Sequence, residues 1–422
     1  MKRVWEIDGR GKAKVGEAGK LAEVLGGEEI ETRVEAIQAL IPVALLAVKE
    51  ALQGEVQRWA GPRHSRGQGK PGHVRWGRQR GSVYLGDQKV AVCVPRVRDL
   101  RGKREVPLTT YRRLRQPRAL DEGLFRRVLL GLSCRRYEEC AEAVPGAFGL
   151  SASSVSRRFI RSSAKRLRAL LERPLEGYDF VALVLDGKTF GEDEMVIALG
   201  VTMEGKKVLL GFVQTATENA SVLTAFLQEL VERGLRFQEG LLCVIDGSKG
   251  LGAAIGRVFG QKAQVQRCQW HKRENVLRYL PKQQWALWRR KLQDAYQKPT
   301  YPEAKRALDR VRKELYLLNA SAVTSLEEGL EETLTLHRLG LFQALGECLK
   351  TTNSLESVMA QVQRATHRIG HWRNSEQKQR WLAAALWDVE PRFRRIKGYR
   401  HLPFLRAALQ REIATQERRG AA

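Results

Sequence analysis

Three acidic residues of this chain lie in surroundings that suit metal chemistry. Asp186 and Asp246 each close an apolar run, in Val-Leu-Asp-Gly and Val-Ile-Asp-Gly, and Glu356 lies in Thr-Thr-Asn-Ser-Leu-Glu-Ser. A chain of net charge +27 does not need carboxylates at the ends of apolar runs for solubility. Clustered carboxylates raise each other's proton affinity unless cations neutralise them. Their hard oxygen atoms suit Mg²⁺ or Mn²⁺.

Each acid also has an ordinary structural interpretation. An apolar run followed by Asp-Gly is the commonest short signal for a tight β-turn, and this applies to Asp186 and Asp246. Glu356 stands three residues after Asn353, which is the spacing of a capping box at a helix N-terminus. Residue types alone leave both interpretations open, so the surrounding elements must decide.

The elements predicted after Asp186 bring two of the acids together. In order they are strands over 195–203 and 207–215, a helix over 221–232, a strand over 241–246, a helix over 250–259 and a strand over 264–267. With the strand that ends at Asp186, this is the element order of a ribonuclease H-like sheet. In that order the first and fourth strands are neighbours, so we expect Asp186 and Asp246 side by side.

The segment that follows the last predicted strand contains Cys268-Gln-Trp-His271. This pair could be half of a zinc site completed by His367 and His371, although the halves are nearly a hundred residues apart. A short helix after the strand would instead place Cys268 and His271 near the active centre, where the imidazole could bond DNA or a catalytic carboxylate. A buried structural role is the third interpretation.

Residues 272–345 are helical in character throughout, and they separate Asp246 from Glu356 by 110 positions. Such a stretch predicts an all-helical insertion before the last part of the catalytic fold. Amphipathic helices resume over 355–389. Arg364 and Arg368 would lie on successive turns after Glu356, where they could meet phosphates.

Length and charge indicate a multidomain protein with a polyanionic partner. The chain has 422 residues and a pI near 10.2, so we expect more than one domain and salt-dependent binding of DNA. No run is long and apolar enough to span a membrane, and the N-terminus lacks the apolar core of a signal peptide. Six scattered cysteines fit reduced thiols. These features predict a cytoplasmic protein with no membrane partner.

Nearly half of the positive charge lies in one segment. Residues 61–118 contain 16 Lys or Arg against three acidic residues. Their glycine-rich first part, 61–72, predicts a flexible loop that orders on nucleic acid, and runs over 82–85 and 89–94 predict a β-hairpin. The cations expected to contact DNA here are Arg63, Arg66, Lys70, Arg75, Arg78 and Arg80.

A second DNA-contacting element is predicted from residue 121 onward. Residues 135–143, 145–150 and 151–163 have the pattern helix, turn, helix, and the exposed face of the second helix would present Arg157, Arg158 and Arg161. An ordinary solvated helix pair gives the same pattern. The neighbouring basic segment favours the DNA-reading interpretation.

Several of these motifs together resemble the bacterial Mutator-type transposases, insertion-sequence enzymes of the DDE class. The similarity covers roughly residues 120–410. It rests on Ala-Thr-Glu-Asn at 216–219, Val-Ile-Asp-Gly-Ser-Lys-Gly-Leu at 244–251, Gln-Arg-Cys-Gln-Trp-His at 266–271 and Thr-Thr-Asn-Ser-Leu-Glu-Ser at 351–357. The chain departs from the usual pattern at Met359, where such enzymes have Asn, and at Ile245, where they have Ser.

The resemblance implies a ribonuclease H-like core with a helical insertion and a metal-binding triad of Asp186, Asp246 and Glu356. Two ions would be shared by the triad, and Asn353 would lie near it with Cys268 and His271. The expected domains are a helical region over 1–60, a basic loop and hairpin over 61–118, a helix-turn-helix-like domain over 119–175, core segments over 176–275 and 346–422, and the insertion over 276–345.

The predicted function is therefore that of a transposase. It would bind the terminal inverted repeats of its insertion sequence, nick the DNA and join the ends to target DNA, acting as a homodimer because two ends must be held together. Two alternatives stay open: a hydrolase on the same fold that cuts without joining, and a DNA-binding repressor whose acids are only turn and cap residues.

Overall fold

The computed structural model describes residues 30–65, 68–85, 88–116, 120–140, 147–215 and 219–420. These residues form two compact units. The first contains the described residues up to Leu124 together with Ser133–Arg158, and the second contains Phe125–Leu132 and the described residues from Phe159 on.

The helices and strands alternate between mainly β and mainly α segments. In chain order they are α1 (Ile30–Ala60), β1 (His73–Leu85), β2 (Gln88–Asp99), β3 (Arg104–Val106), α2 (Thr109–Leu114), α3 (Leu120–Leu129), β4 (Ala147–Phe148), α4 (Ala152–Leu171), β5 (Phe180–Phe190), β6 (Asp193–Thr202), β7 (Lys207–Thr215), α5 (Ala220–Glu232), β8 (Leu241–Ile245), α6 (Lys249–Phe259), β9 (Ala263–Arg267), α7 (Gln269–Leu277), α8 (Trp285–Tyr296), α9 (Tyr301–Tyr316), α10 (Ala320–Glu327), α11 (Leu330–Thr333), α12 (Thr335–Arg338), α13 (Phe342–Leu349), α14 (Asn353–Thr366), α15 (Ser375–Val389) and α16 (Leu402–Gly420).

The first unit is built on the predicted hairpin. β1 and β2 pair antiparallel from Leu85 opposite Gln88 outward, and the apolar face of α1 packs on them in a small aliphatic core. The hairpin is longer than predicted: residues 73–81, which lie between the predicted loop and the predicted hairpin, form strand because β2 continues far enough to pair with them.

The helix predicted over 135–143 is not formed in its described part. Residues 135–137 are turns, and Glu138–Cys140 form a single 3-10 turn. The predicted turn that follows contains strand β4, in which Ala147 pairs with Val90 of β2. The pairing satisfies backbone groups at the edge of β2, and the fully buried Tyr137 anchors the preceding turns. Residues 141–146 lie outside the described part of the chain.

The second unit contains a five-stranded mixed sheet in the order β7-β6-β5-β8-β9. β5, β6 and β7 pair antiparallel, whereas β8 and β9 join in parallel. The prediction that the first and fourth strands are neighbours is confirmed. β5 and β8 are apolar and buried on both faces, and α5 and α6 pack against the sheet in a continuous core.

The residues between β9 and α14 are helical, as their sequence predicts. α7 to α11 enclose a separate core of aliphatic and aromatic side chains that includes Trp288 and Leu292. α9 begins with a capping box between Thr300 and Glu303 and with a proline in its first turn. α14 to α16 follow. Of the helices that the structure describes, none is long and apolar enough to cross a membrane.

Candidate active site

The parallel pairing of β5 and β8 brings the two aspartates to neighbouring positions. Leu185 lies opposite Ile245, so the next residue along each strand is Asp186 or Asp246. Asp186 is 1% exposed, and the charge of Asp246 acts on its carboxyl group. The two acids therefore share one edge of the β5–β8 pair.

Neither aspartate belongs to a hairpin turn. β5 continues four residues past Asp186 to Phe190, so the expected strand end at Asp186 is wrong, and Gly187 pairs with Val196 of β6. Asp246 directly follows Ile245, the last residue of β8, and it leads into α6 and not into a return strand. Its Oδ1 accepts the Ser248 N–H at 3.0 Å.

The loop after Asp246 is constrained on both sides. The Ser248 hydroxyl accepts the Leu251 N–H at 3.1 Å and caps α6. Gly247 has a φ of +111°, and a Cβ there would lie 2.1 Å from Nε of Arg267. Only glycine suits this backbone and this close approach, so the Asp-Gly pair serves the geometry of the Asp246 loop.

Glu356 lies in the first turn of α14 and makes contacts away from the helix end. The N-cap is Thr352, one residue before Asn353, and it makes no side-chain cap hydrogen bond, so the capping-box interpretation is wrong. The Oε1 atom of Glu356 lies 3.7 Å from Nζ of Lys188 and 3.7 Å from Nε2 of His271.

Lys188 links two of the three acids and was missed in the sequence. Its ammonium lies 3.0 Å from Oδ2 of Asp186 and 3.7 Å from Glu356. Side chains two positions apart on a strand share a face, and this spacing would have been a signal had the predicted strand continued past Asp186. Burial would lower the pKa of Lys188, but Asp186, Glu356 and Asp246 outweigh it and raise that pKa.

Burial also sets the protonation of the acid at the centre of the cluster. It raises the pKa of Asp186 to about 6, and the negative charge of Asp246 adds to this rise. Lys188 and Thr352 act in the opposite direction. The Asp186 carboxyl group is thus ionised at neutral pH but needs positive charge beside it.

Cys268 and His271 lie next to the acids, as one interpretation of the sequence predicts. The Cys268 N–H donates to the Ile245 carbonyl at 2.7 Å, and the thiol is buried, which raises its pKa. Burial lowers the pKa of His271, so its imidazole is neutral near pH 7. Cys268 is thus a structural residue at the base of the site, and His271 contacts Glu356.

Asp186, Asp246 and Glu356 offer the hard carboxylate oxygens that a divalent cation prefers, but the structure does not draw the three together as a metal site. Within the residues that the structure describes, no three His, Cys, Asp or Glu side chains are grouped closely enough to hold a metal ion, and this includes the zinc set with His367 and His371. Instead, the ammonium of Lys188 contacts the carboxylates of both Asp186 and Glu356, so a positively charged side chain already lies between them. A metal ion there would have to replace it.

Several predicted DNA-contacting residues of the first unit come together. Arg63, Arg75 and Arg78 line a cavity of about 190 Å³ with Arg96. Arg80 is exposed on β1, and Nζ of Lys70 lies 4.0 Å from the Trp59 ring centroid. Arg66 lies outside the described residues.

The cations predicted on helices differ in exposure. Arg157 and Arg161 are exposed on α4, but Arg158 is buried with its guanidinium over the Tyr84 ring, so its predicted place on the exposed face is wrong. Arg364 is exposed on α14. Arg368 lies beyond the helix end and not on its next turn, and it packs against Gly131.

Known proteins resemble this chain over most of its length. A family model described as "Transposase, Mutator family" matches residues 20–395. The transposase for insertion sequence element IS1081 of Mycobacterium tuberculosis is 30% identical over 338 residues, 76% of this chain and 78% of the relative. The transposase for element ISRM5 of Rhizobium meliloti is 29% identical over 69% of this chain and 73% of the relative. That for IS256 in transposon Tn4001 of Staphylococcus aureus is 27% identical over 70% and 76%. The chain belongs to the Mutator family of transposases.

Proposed function

We propose that this chain is a DDE-class transposase that nicks DNA at the terminal inverted repeats of its insertion sequence and joins the ends to target DNA. The observation that carries the proposal is the parallel pairing of β5 and β8, which brings Asp186 and Asp246 together. Glu356 lies near them, because it contacts His271 and also Lys188, which pairs with Asp186.

The sheet order supports a ribonuclease H-like core. Three antiparallel strands followed by two parallel strands with intervening helices give the order β7-β6-β5-β8-β9. Helices α7 to α11, which follow β9, have their own core, which supports their assignment as an insertion in that fold. Residues 276–345 would then separate the two parts of the catalytic core.

Asp186, Asp246 and Glu356 would hold two Mg²⁺ or Mn²⁺ ions. Bound, these ions supply positive charge to the attacking and leaving oxygens of the phosphate. We assign this role to Asp186 because its buried carboxylate already pairs with a cation, the ammonium of Lys188. A metal ion held there would have to displace the ammonium of Lys188 from its ion pair with Asp186. The neutral imidazole of His271 can donate a hydrogen bond beside Glu356.

The chemistry needs no covalent bond between DNA and protein. In nicking, a water oxygen bonds to phosphorus, the bond from phosphorus to the 3′ oxygen breaks, and that oxygen takes up a proton. In joining, the resulting 3′-hydroxyl attacks a target phosphate in the same way and releases another 3′ oxygen. Because two DNA ends must be present together, a homodimer is the expected assembly.

The exposed arginines of both units would bind the DNA backbone. Arg63 and Arg78 line the basic cavity of the first unit, and Arg157, Arg161 and Arg364 are exposed on helices. Arginines contact phosphate oxygens by charge and by hydrogen bonds, and such contacts fix position without reading sequence.

The test uses labelled DNA that carries the inverted repeats expected on either side of the gene. Wild-type protein, Asp246→Asn and the exposed control Asp294→Asn are incubated with Mg²⁺ or Mn²⁺, and products are resolved on denaturing gels. Nicking and joining by wild type and the control, with loss of at least 100-fold in Asp246→Asn, is expected. Efficient nicking without joining would favour the hydrolase, and binding without cleavage under all conditions would favour the repressor.

A further inference from the structure

A cleft of about 180 Å³ is lined by residues of α7, α8 and the start of α14. Asn353 on its wall lies three residues before Glu356 on α14, and Trp270 on its wall directly precedes His271. Nε2 of His271 lies 3.7 Å from Glu356, so the two helices that line the cleft, α7 and α14, also carry residues of the candidate active site. A DNA strand held at the carboxylates would pass it.

The indole of Trp270 is not packed into the protein core. It is 41% exposed, although Val276 and Leu277 of the same helix are fully buried. Its ring meets that of His271 at 4.9 Å and 80°, so the two rings are perpendicular and not stacked. In the part of the chain that the structure describes, no other ring and no cation lies against this indole. A flat partner can therefore stack on it.

Polar groups suited to the edge of a base surround the indole. The side-chain amides of Gln297 and Asn353 line the cleft, and neither has a hydrogen-bond partner among the described residues. Each offers both a donor and an acceptor, which is the pairing that base edges require. Lys350 adds positive charge to the wall, which suits the phosphates on either side of a base, and Arg273, whose Nε lies 3.2 Å from Oε1 of Glu274, lines the same wall.

The volume of the cleft limits the size of the ligand that can enter it. About 180 Å³ lies below the roughly 300 Å³ at which pockets for drug-sized ligands begin. A single flat ring system fits this space better than a complete nucleotide cofactor does. Proximity to the carboxylates, an exposed indole, free amides and cations together describe a site for one nucleobase.

We propose that this cleft receives one nucleobase of the DNA strand being processed, unstacked from its neighbours and laid on Trp270. Gln297 and Asn353 bond the edge of the base. This assignment rests on the proposed strand-transfer function, because it takes the DNA strand at the carboxylates as given. Drawing one base out of the duplex bends the backbone at that nucleotide, which fixes the neighbouring phosphate beside Asp186 and Asp246.

The first experiment does not depend on catalysis. Terminal-repeat duplexes carry 5-iodo-2′-deoxyuridine at successive positions around the cleavage point and are irradiated with the Asp246→Asn protein. We expect a crosslink to Trp270 at one or two adjacent positions, identified by mass spectrometry. Crosslinks spread evenly along the DNA, or absent from Trp270 while the DNA is bound, would overturn the assignment.

The second experiment tests whether stacking of the base on Trp270 affects the rate of nicking. Trp270→Ala should slow nicking by about tenfold or more while DNA affinity stays within twofold, because one base-on-aromatic stack is lost. Trp270→Phe should restore most of the rate, and so should DNA that lacks the base at the crosslinked position. The control Tyr279→Ala removes an exposed aromatic that does not line the cleft.

The two proposals fail in different ways. If wild type does not nick DNA with either metal, the proposed function fails, and the crosslink still reports on the cleft. If wild type nicks and Trp270→Ala is as fast on intact DNA, only the assignment of the cleft is overturned.

Discussion

Nζ of Lys188 lies 3.0 Å from Oδ2 of Asp186, and the two residues stand two positions apart on β5. The alternation of a strand therefore places an ammonium on the same face as the most buried acid of the site. The same ammonium lies 3.7 Å from Glu356. Lys188 thus neutralises part of the negative charge of Asp186 and Glu356, and we expect a metal ion to compete with it.

Lys188→Met should make the metal-free protein less stable and its metal binding tighter. Without the ammonium, Asp186 loses its charged partner, which costs roughly 1–3 kcal/mol. Mn²⁺ no longer competes with a tethered cation, so its dissociation constant should fall and the Mn²⁺-induced rise in melting temperature should exceed that of wild type. Calorimetric titration and thermal unfolding, with and without Mn²⁺, measure both effects.

The exposed Lys282→Met variant has the same charge change and serves as the control. Weaker Mn²⁺ binding by Lys188→Met would show that the ammonium orders the carboxylates and does not compete with the metal.

The sheet and its two aspartates could be predicted from sequence because they depend on local patterns. Apolar runs with short connections fix strands, and the element order makes β5 and β8 neighbours. Lys188 was missed because the predicted strand stopped at Asp186, whereas the strand in the structure continues to Phe190 and carries Lys188 on the same face. Glu356 needed the family resemblance, since 110 residues separate it from Asp246 and no local pattern links them.

Other features depend on contacts that no local pattern contains. Strand β1 begins at His73 in a glycine- and arginine-rich stretch because its partner β2 supplies the hydrogen bonds. Residues 135–140 have helix-forming composition, yet the pairing of β4 with β2 and the burial of Tyr137 take precedence. Arg158 is buried because its guanidinium lies over the ring of Tyr84, which is distant in sequence.

Gly247→Ala should disturb the loop that carries Asp246. The φ of +111° is unfavourable for alanine, and its Cβ would lie 2.1 Å from Nε of Arg267. Arg267 cannot move freely, because it donates to the Glu328 carbonyl at 2.9 Å. We expect a loss of roughly 1–3 kcal/mol, seen as a lower melting temperature, and a loss of strand nicking.

Gly252→Ala is the matched control. Gly252 lies in α6, and a Cβ there meets no heavy atom within 4 Å. This variant should be as stable as wild type or up to about 1 kcal/mol more stable, because alanine is the better helix former. Equal melting temperatures for the two variants would refute the close approach between Gly247 and Arg267.

The basic cavity of the first unit should contribute to the salt dependence of DNA binding. Arg75 donates to the Gly61 carbonyl at 2.8 Å and Arg96 pairs with Glu105, whereas Arg63 and Arg78 have no acidic partner among the described residues. In the Arg63→Gln, Arg78→Gln double variant, affinity should fall and the slope of log K against log salt should decrease by up to about 2.

Fluorescence anisotropy of a labelled duplex at several salt concentrations measures that slope. Point changes are preferable to deletion of residues 61–81, because the deletion would remove much of β1. Arg136→Gln is the control, since Arg136 already pairs with Glu139 at 2.8 Å. An unchanged slope in the double variant would exclude this cavity from phosphate contact.

His337 should make the protein less stable in mild acid. Its Nε2 lies 3.1 Å from the carbonyl oxygens of both Tyr296 and Lys298, so this nitrogen carries the proton of the neutral ring. The buried Nδ1 has no hydrogen-bond partner among the described residues, and a second proton there would find no acceptor. Burial accordingly lowers the pKa of His337 to about 4, while the two carbonyls act in the opposite direction.

Between pH 6.5 and about 4, the unfolded chain binds a proton at His337 that the folded protein does not, so stability falls as the pH falls. At pH 4.5 this loss amounts to about 2–3 kcal/mol relative to pH 7. His337→Gln keeps an N–H donor and cannot titrate, so its urea midpoint, followed by tryptophan fluorescence, should decline less over this range. His401→Gln, at an exposed histidine, should follow wild type. Parallel declines in wild type and His337→Gln would mean that the imidazole is protonated in the folded protein, and that the second proton on Nδ1 finds an acceptor after all.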